Sequence, residues 1–559
     1  MTAPSPANTK TWWIDIVFLC VVLGVLFFTL LGVRPLFVPD EGRYAEIARE
    51  MVVRSDYVTP YLNGVKYFEK PILFYWLGAA AIKIGGVNLW SVRAINAVLG
   101  LLGCLLTYIT ARKLYDRCTG LLAALLLATS ALYFTMTHMV SLDLPVTVFL
   151  TCGFYAFLLG TQTTYDRARR WLIWSAFVAA GLAVLTKGLI GILFPLLVVG
   201  AWITVCHEWR LLPRLYLPSS IILFLAVTVP WHWLVGTRHP EFFYFYFIEQ
   251  HFLRYTTPDV GHYQPAWFFL PVLVAGFFPW IAFLPQALVK HLPTSWTACR
   301  ARKVDVFLLL WALLIFTFFS FSKSKLIPYI LPVLPPLAIL TAHYLAAAWQ
   351  QKVTRPLRAG FYVLLVLALV FNAVAFLFTQ HTLLPDTAVA RIYLFSAGTV
   401  LLLGYLFSLF SVYWKPKRAL VSTLITTGLF LILFIGAVPS IDTRSILPIA
   451  SQLKNMLRPT DEVICFNQYY QDLPFYLERR VTILNWKNEL TYGMAHQDTH
   501  EWMIDTRTFW KRFQSKQRVF VIMSQDEFVN VQNNYPNERF YVLKKTINNV
   551  LISNQAVSD

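Results

Sequence analysis

Charge is what this chain has least of. Asp, Glu, Lys and Arg make up 14% of its 559 residues, and only 29 of them are carboxylates, against about a quarter charged in a soluble globular chain. That scarcity excludes an ordinary soluble protein. Cysteine is sparse too. Of seven, six lie in or beside apolar runs and Cys465 stands alone in the tail, so neither a disulfide framework nor a zinc ribbon is supported. The chain has no P-loop, which argues against a nucleotide-fuelled pump. It shows no internal repeat of the kind that marks inverted-repeat transporters. No small-residue cleavage pattern follows the first apolar run, so 12–33 reads as an uncleaved span rather than a signal peptide.

What the chain has in abundance is apolar length: 57% of its residues are hydrophobic. About thirteen runs approach the length a helix needs to cross a bilayer core of roughly 30 Å. They cover 12–33, 92–111, 118–137, 143–161, 171–186, 188–206, 215–236, 265–288, 304–321, 326–348, 359–379, 391–412 and 419–438. The run 71–86 is shorter and reads as re-entrant or interfacial. The net charge of +18 does not indicate nucleic acid, because the basic residues sit in short loops between spans. Every second loop is basic: Lys10; Arg112, Lys113 and Arg117; Arg167, Arg169 and Arg170; Arg210 and Arg214, and so on to Arg418. That bias places the N-terminus and these loops in the cytoplasm. The alternate loops then face outward, and the unusual polar residues collect there. Polar groups gathered at one face point to a site built at that face.

The densest outward stretch is 38–70, which holds Asp40, Glu41, Glu46, Glu50, Asp56 and Glu69 with Arg43, Arg49, Arg54, Lys66 and Lys70. Asp40 stands before an amphipathic helix expected from Glu41 to Val53, where an N-cap accounts for it as well as chemistry does. Arg43, three residues on, shares a face with it. Pro71 holds Lys70 extended at the interface, where a snorkelling lysine is the plainer account. Asp143 opens a span and also fits an N-cap. Lys187 lies between two apolar runs with no carboxylate beside it in sequence, a costly position unless it meets water or an anion. Glu249 and His251 are metal-type ligands at an unspecific spacing, and Arg254 is a phosphate fork.

After Ile441 the composition changes. Val463–Phe466, Val481–Leu484, Arg518–Ile522 and Phe540–Leu543 read as short buried strands, and Thr499–Phe513 as a helix, together a small soluble α/β domain.

The run Val38-Pro39-Asp40-Glu41-Gly42-Arg43-Tyr44-Ala45-Glu46-Ile47-Ala48-Arg49-Glu50-Met51 resembles the first outer loop of bacterial polyprenyl-phosphate-sugar glycosyltransferases. Specifically, it is similar to the lipid A aminoarabinose transferase group of the GT-C superfamily. Further matching blocks follow in order: Tyr67-Phe68-Glu69-Lys70-Pro71, Ser141-Leu142-Asp143, Leu185-Thr186-Lys187-Gly188, the stretch from Ser322 to Pro332, and Gln468 to Leu477. The resemblance implies an all-α polytopic membrane domain of about thirteen transmembrane helices over 1–440, with a periplasmic α/β domain over 441–559. It implies a donor sugar carried on undecaprenyl phosphate and lipid A, or another envelope molecule, as acceptor. Membrane lipids are the remaining partners, and nucleic acid is not among them. By the same resemblance Asp40 and Asp143 are the catalytic carboxylates, and Lys70, Arg254 and Lys187 hold the donor phosphate. Arg43, Tyr44, Tyr67 and Tyr329 line the cavity. Some relatives hold zinc with the glutamate matching Glu69 and a histidine; here Glu249 aligns with that histidine and His251 lies two residues on.

On this expectation the cations neutralise the phosphate as it leaves, helped by the low dielectric near the bilayer. An ionised phosphate acceptor would need Asp40 for orientation, whereas a hydroxyl acceptor would need it as general base. A protein O-mannosyltransferase-like enzyme with the same donor class is the rival reading. A transporter is a weaker one, because the charges sit at one face and not at the midplane.

Overall fold

The structure is a computed structural model that describes residues 6–253, 263–351 and 355–556. Among them, ten helices are long and apolar enough to span a membrane. Two bent pairs, Arg117–Ala128 with Ala131–Thr137 and Ala266–Gly276 with Trp280–His291, turn by 67° and 102° at their breaks and bring the number to twelve. Ile190–Cys206, at 17 residues, coincides with the remaining apolar run. Leu73–Gly85 has 13 residues, too few to cross.

Local chemistry sets several of these boundaries. Asn88 and Asp116 cap their helices by accepting from the amides of Ser91 and Thr119, which satisfies donors that the first turn leaves open. Gly188 ends Asp166–Lys187 at φ 101°, a conformation that a side chain resists. The chain therefore reverses directly after Lys187, and the lysine is left at the helix tip.

The helix Asp40–Arg54 was expected to be amphipathic, yet it is buried almost all round. The reason is that it is packed on both sides. Gly78 of Leu73–Gly85 lies against Ala48 beneath, and Gly42 lies against the backbone of Asp472 above, leaving no room for a Cβ at either glycine. Two of its arginines, Arg43 and Arg49, reach into the tail. Glu46 takes a bidentate bond from Arg49 (2.6 and 2.7 Å), and Arg49 also donates to the Glu478 carbonyl (3.2 Å).

The hairpin β1 (Tyr61–Leu62) and β2 (Val65–Lys66) turns on Asn63-Gly64, both at positive φ, as two-residue hairpins prefer. Asn63 then joins this hairpin to the tail. It donates to the Val481 carbonyl and accepts from the Val481 amide, each at 2.9 Å.

The tail forms a mixed six-stranded sheet from β3 (Glu462–Phe466), β4 (Thr482–Leu484), β5 (Met503–Ile504), β6 (Val519–Ser524), β7 (Tyr541–Lys545) and β8 (Asn549–Ser553). Its order is β5-β4-β3-β6-β8-β7, with β5, β4, β3 and β6 parallel and β6, β8 and β7 antiparallel. Alternation along the strands divides the two faces. Val463, Cys465, Phe520, Ile522 and Leu551 share one core with residues of the 36–82 region, including Ala45, Ile47 and Tyr67. Ile464, Val521, Met523 and Ile552 face Phe509, Phe513 and Phe528 on the other side. The helix expected over Thr499–Phe513 is confined to Thr506–Phe513, because Met503–Ile504 pairs with β4 as an edge strand.

Candidate active site

Asp40 and Glu41 are neighbours with opposite environments. The cap position falls on Pro39, and no side chain caps the helix, so the carboxylate of Asp40 is not used in capping. It remains 46% exposed, 3.7 Å from Arg43. Glu41 is fully buried. It pairs with Arg34 at 2.5 Å and with Arg93 at 3.0 Å, and accepts from the amides of Phe37 and Val140, each at 2.8 Å. Burial by itself would raise its carboxyl; the two guanidiniums overcome that and hold it down at about 2. Arg93 also donates to the carbonyls of Leu31, Arg34 and Pro35 (3.1, 2.7 and 2.8 Å). This buried cluster fixes the segment before Asp40 against the segment before Asp143.

Asp143 is likewise free of capping: its helix is preceded by Leu142, without a side-chain cap. Its carboxylate accepts from Ser141 Oγ at 3.0 Å and pairs with Lys187 Nζ. That pairing answers the question posed by a lysine with no carboxylate near it in sequence; the partner comes from the neighbouring helix. Lys187 Nζ also lies 4.3 Å from the centre of the Tyr329 ring. Tyr44 feels both Asp40 and Asp143, and burial raises its phenol well above the ordinary range. Asp40, Arg43, Tyr44, Asp143, Lys187 and Tyr329 thus adjoin at one end of the bundle.

Arg43 is the hub on the tail side. It donates to Tyr67 Oη at 3.4 Å and to Glu489 Oε2 at 2.7 Å. Tyr67 in turn donates to Glu69 at 3.1 Å, and Gln471 donates to Glu489 at 3.2 Å. Burial raises the Glu489 carboxyl while Arg43 opposes the rise. Tyr75 borders the same space, close enough to feel Arg43 and Glu69.

Sequence reasoning passed over Glu489, which lies in an ordinary tail stretch with nothing to mark it. It also passed over Arg93, for which a signal existed: an arginine at the start of an apolar run needs a buried partner. Lys70, beside Glu69, is half-buried. Glu249 lies on Tyr244–Leu253, close enough to Tyr492 to act on its phenol. Arg254 and the side chain of His251 lie outside the described residues. Among the described residues no three His, Cys, Asp or Glu side chains gather as a metal site, and Glu69 is engaged by Tyr67. The zinc ligand set suggested by the resemblance is not assembled by the residues described.

Asp472 sits against Gly42, fully buried, with neither carboxylate oxygen hydrogen-bonded among the described residues. Desolvation, with Asp442 and Glu41 adding repulsion, raises its carboxyl to about 8. Tyr470 and Tyr476 also face it. The folded chain therefore holds a proton that an unfolded aspartate, titrating near 4, gives up. The stability of the tail's docking must fall as pH rises from about 4 to about 8 and level off above that. Thermal unfolding from pH 5 to pH 9 should show an Asp472→Asn protein gaining on the parent with rising pH. A stability difference that does not shift toward the variant as pH rises would mean that Asp472 is not held protonated.

These features, a bundle of apolar spans with an acid–cation cluster at one end and an α/β tail folded over it, define a membrane-embedded glycosyltransferase of the polyprenyl-phosphate-sugar class. Residues 12–246 match the dolichyl-phosphate-mannose-protein mannosyltransferase family, and residues 449–554 match the aminoarabinose transferase C-terminal domain. An undecaprenyl phosphate-alpha-4-amino-4-deoxy-L-arabinose arabinosyl transferase of Pectobacterium carotovorum is 30% identical over 509 residues, 88% of each chain. A protein of the same name from Erwinia tasmaniensis is 28% identical over 93% of this chain and 96% of its own. Among solved structures, that of ArnT from Cupriavidus metallidurans bound to undecaprenyl phosphate superposes with a TM-score of 0.86, at 29% identity and 98% coverage of both chains. The chain belongs to the undecaprenyl phosphate-aminoarabinose arabinosyl transferase family.

Proposed function

We propose that this chain is a multi-pass inner-membrane enzyme that transfers 4-amino-4-deoxy-L-arabinose from undecaprenyl phosphate to lipid A. The observation that carries this reading is the meeting of Asp40 and Arg43 with Asp143 and Lys187 around Tyr44. As the glycosidic bond breaks, the sugar gains oxocarbenium character and the departing phosphate gains charge. Lys187, which pairs with Asp143, and Lys70 are the cations assigned to offset that charge. Asp40, exposed and uncommitted to a cap, orients the acceptor or stabilises the cationic sugar. Asp143 holds Lys187 in place, and Tyr44, Tyr67 and Tyr329 wall the cavity. Arg43 is held toward Asp40 by Glu489 of the tail.

The chain divides at about residue 441 into a membrane domain and a soluble domain. The basic loops set the soluble domain and the site in the periplasm and the N-terminus in the cytoplasm. The match over 12–246 keeps a mannosyltransferase-type reaction on protein as the second reading, and the match over 449–554 favours the lipid.

The test is transfer by the purified chain, supplied with undecaprenyl phosphate-aminoarabinose and lipid A and read by mass spectrometry. A lipid A product heavier by one aminopentose is the expected result. Sugar found on a protein acceptor with lipid A unchanged would replace this reading by the second.

A further inference from the structure

The helices Asp143–Gln162, Asp166–Lys187, Ile190–Cys206 and Leu217–Arg238 enclose a groove of about 560 Å³ that runs from Gly191, just beyond Lys187, toward the far end of the bundle. Its lining includes Gly153, Ala180, Leu196, Gly200, Leu212 and Leu225, and every described lining residue is apolar. Leu196, Leu212 and Leu225 are among its exposed members. The groove exists because Ile190–Cys206 is short and because small residues face it. Seventeen residues rise only about 26 Å, less than a bilayer core of about 30 Å. A Cβ placed on Gly200 would meet nothing within 4 Å.

One end of the groove carries charge. Lys187 and Asp143 pair at one membrane face, so Cys206, at the far end of the next helix, lies at the other. The turn that follows, Trp209–Leu215, gives Leu212 and Leu215 to the groove. The same turn carries Arg210 and Arg214, both exposed and with no protein partner among the described residues. Arg170, stacked 5.1 Å from the Tyr216 ring, adds a third cation at this end. An apolar slot between spans that ends in free arginines is complementary to a lipid with an anionic headgroup.

We propose that this groove is a binding site for an anionic phospholipid, with one acyl chain in the slot and its phosphate on Arg210 and Arg214. Its headgroup end, at Arg210 and Arg214, lies on the membrane face opposite Asp40, Asp143 and Lys187, and has no part in the transfer reaction.

Native mass spectrometry of the full chain, released from detergent with equal phosphatidylglycerol and phosphatidylcholine, tests this. One phosphatidylglycerol should be retained in preference to phosphatidylcholine. An R210A/R214A protein should lose that occupancy about thirtyfold, the scale of two interfacial cations. Gly200→Leu should lose it by filling the slot, and it favours the helix. Three results would overturn the site: equal retention of both lipids, occupancy unchanged in both variants, or displacement of phosphatidylglycerol by added undecaprenyl phosphate. A dimer that Gly200→Leu dissolves would instead assign the groove to a second copy of the chain.

Discussion

An Asp40→Asn protein is expected to insert and fold like the parent and to transfer sugar about 10²–10³-fold more slowly, the usual cost of removing one preorganised charge from a reacting centre. Folding should be spared because Asp40 does little for it. Its carboxylate is 46% exposed, caps no helix, and lies 3.7 Å from Arg43, a pairing worth at most about 1 kcal/mol in water. Donor affinity should also be nearly unchanged, since the phosphate is assigned to cations elsewhere, so the loss should fall on kcat. The pH profile then separates the two possible roles. A phosphate acceptor is fully ionised above about pH 7, and both proteins should show flat rates there. A hydroxyl acceptor needs a base, so the parent's rate should depend on pH where the variant's does not. Full activity in the variant would remove Asp40 from the site and leave Asp143 as the carboxylate to test.

How much of this was legible depended on how local each signal is. Long apolar runs are a local property, and the run lengths marked the spans, including the two that the structure bends. The tail's strands at 462–466, 482–484, 519–524 and 541–545 were close to their expected positions because alternating or continuous apolar stretches bounded by turns mark them. The strand Asn549–Ser553 was missed although all five of its residues are buried, since a short run near the chain's end carries little context. Asn63-Gly64 was a readable hairpin signal and was passed over. Other features could not be read at all. Nothing near Lys187 indicated Asp143, 44 positions away, and nothing near Glu489 indicated Arg43, 446 positions away. Asp40 and Glu41 looked like a pair sharing a helix start. Only the third dimension gives one to the solvent-facing cavity and the other to two buried arginines.

Glu41→Gln should be the most damaging single change to folding. The carboxylate is fully buried and is the only described acid paired with the guanidiniums of Arg34 and Arg93. An amide keeps the shape but leaves two buried cations facing each other without a counter-charge. Breaking a buried pair in this way costs about 3–5 kcal/mol, a large part of the 5–15 kcal/mol that typically holds a domain together. The loss should appear as much lower accumulation in the membrane and a markedly lower unfolding temperature in detergent. Activity should follow, because the same carboxylate accepts from the amides of Phe37 and Val140 and so sets Asp40 beside Asp143. The pH arm has a defined sign. The folded carboxyl is held near 2, below its ordinary value of about 4. Its contribution is therefore complete above about pH 4 and fades as pH falls toward 2, so parent and variant should converge in strong acid. A variant that accumulates and melts like the parent would mean that Asp442, which also acts on Arg34, takes over the counter-charge; the clamp would then be a wider network than the Glu41 trio.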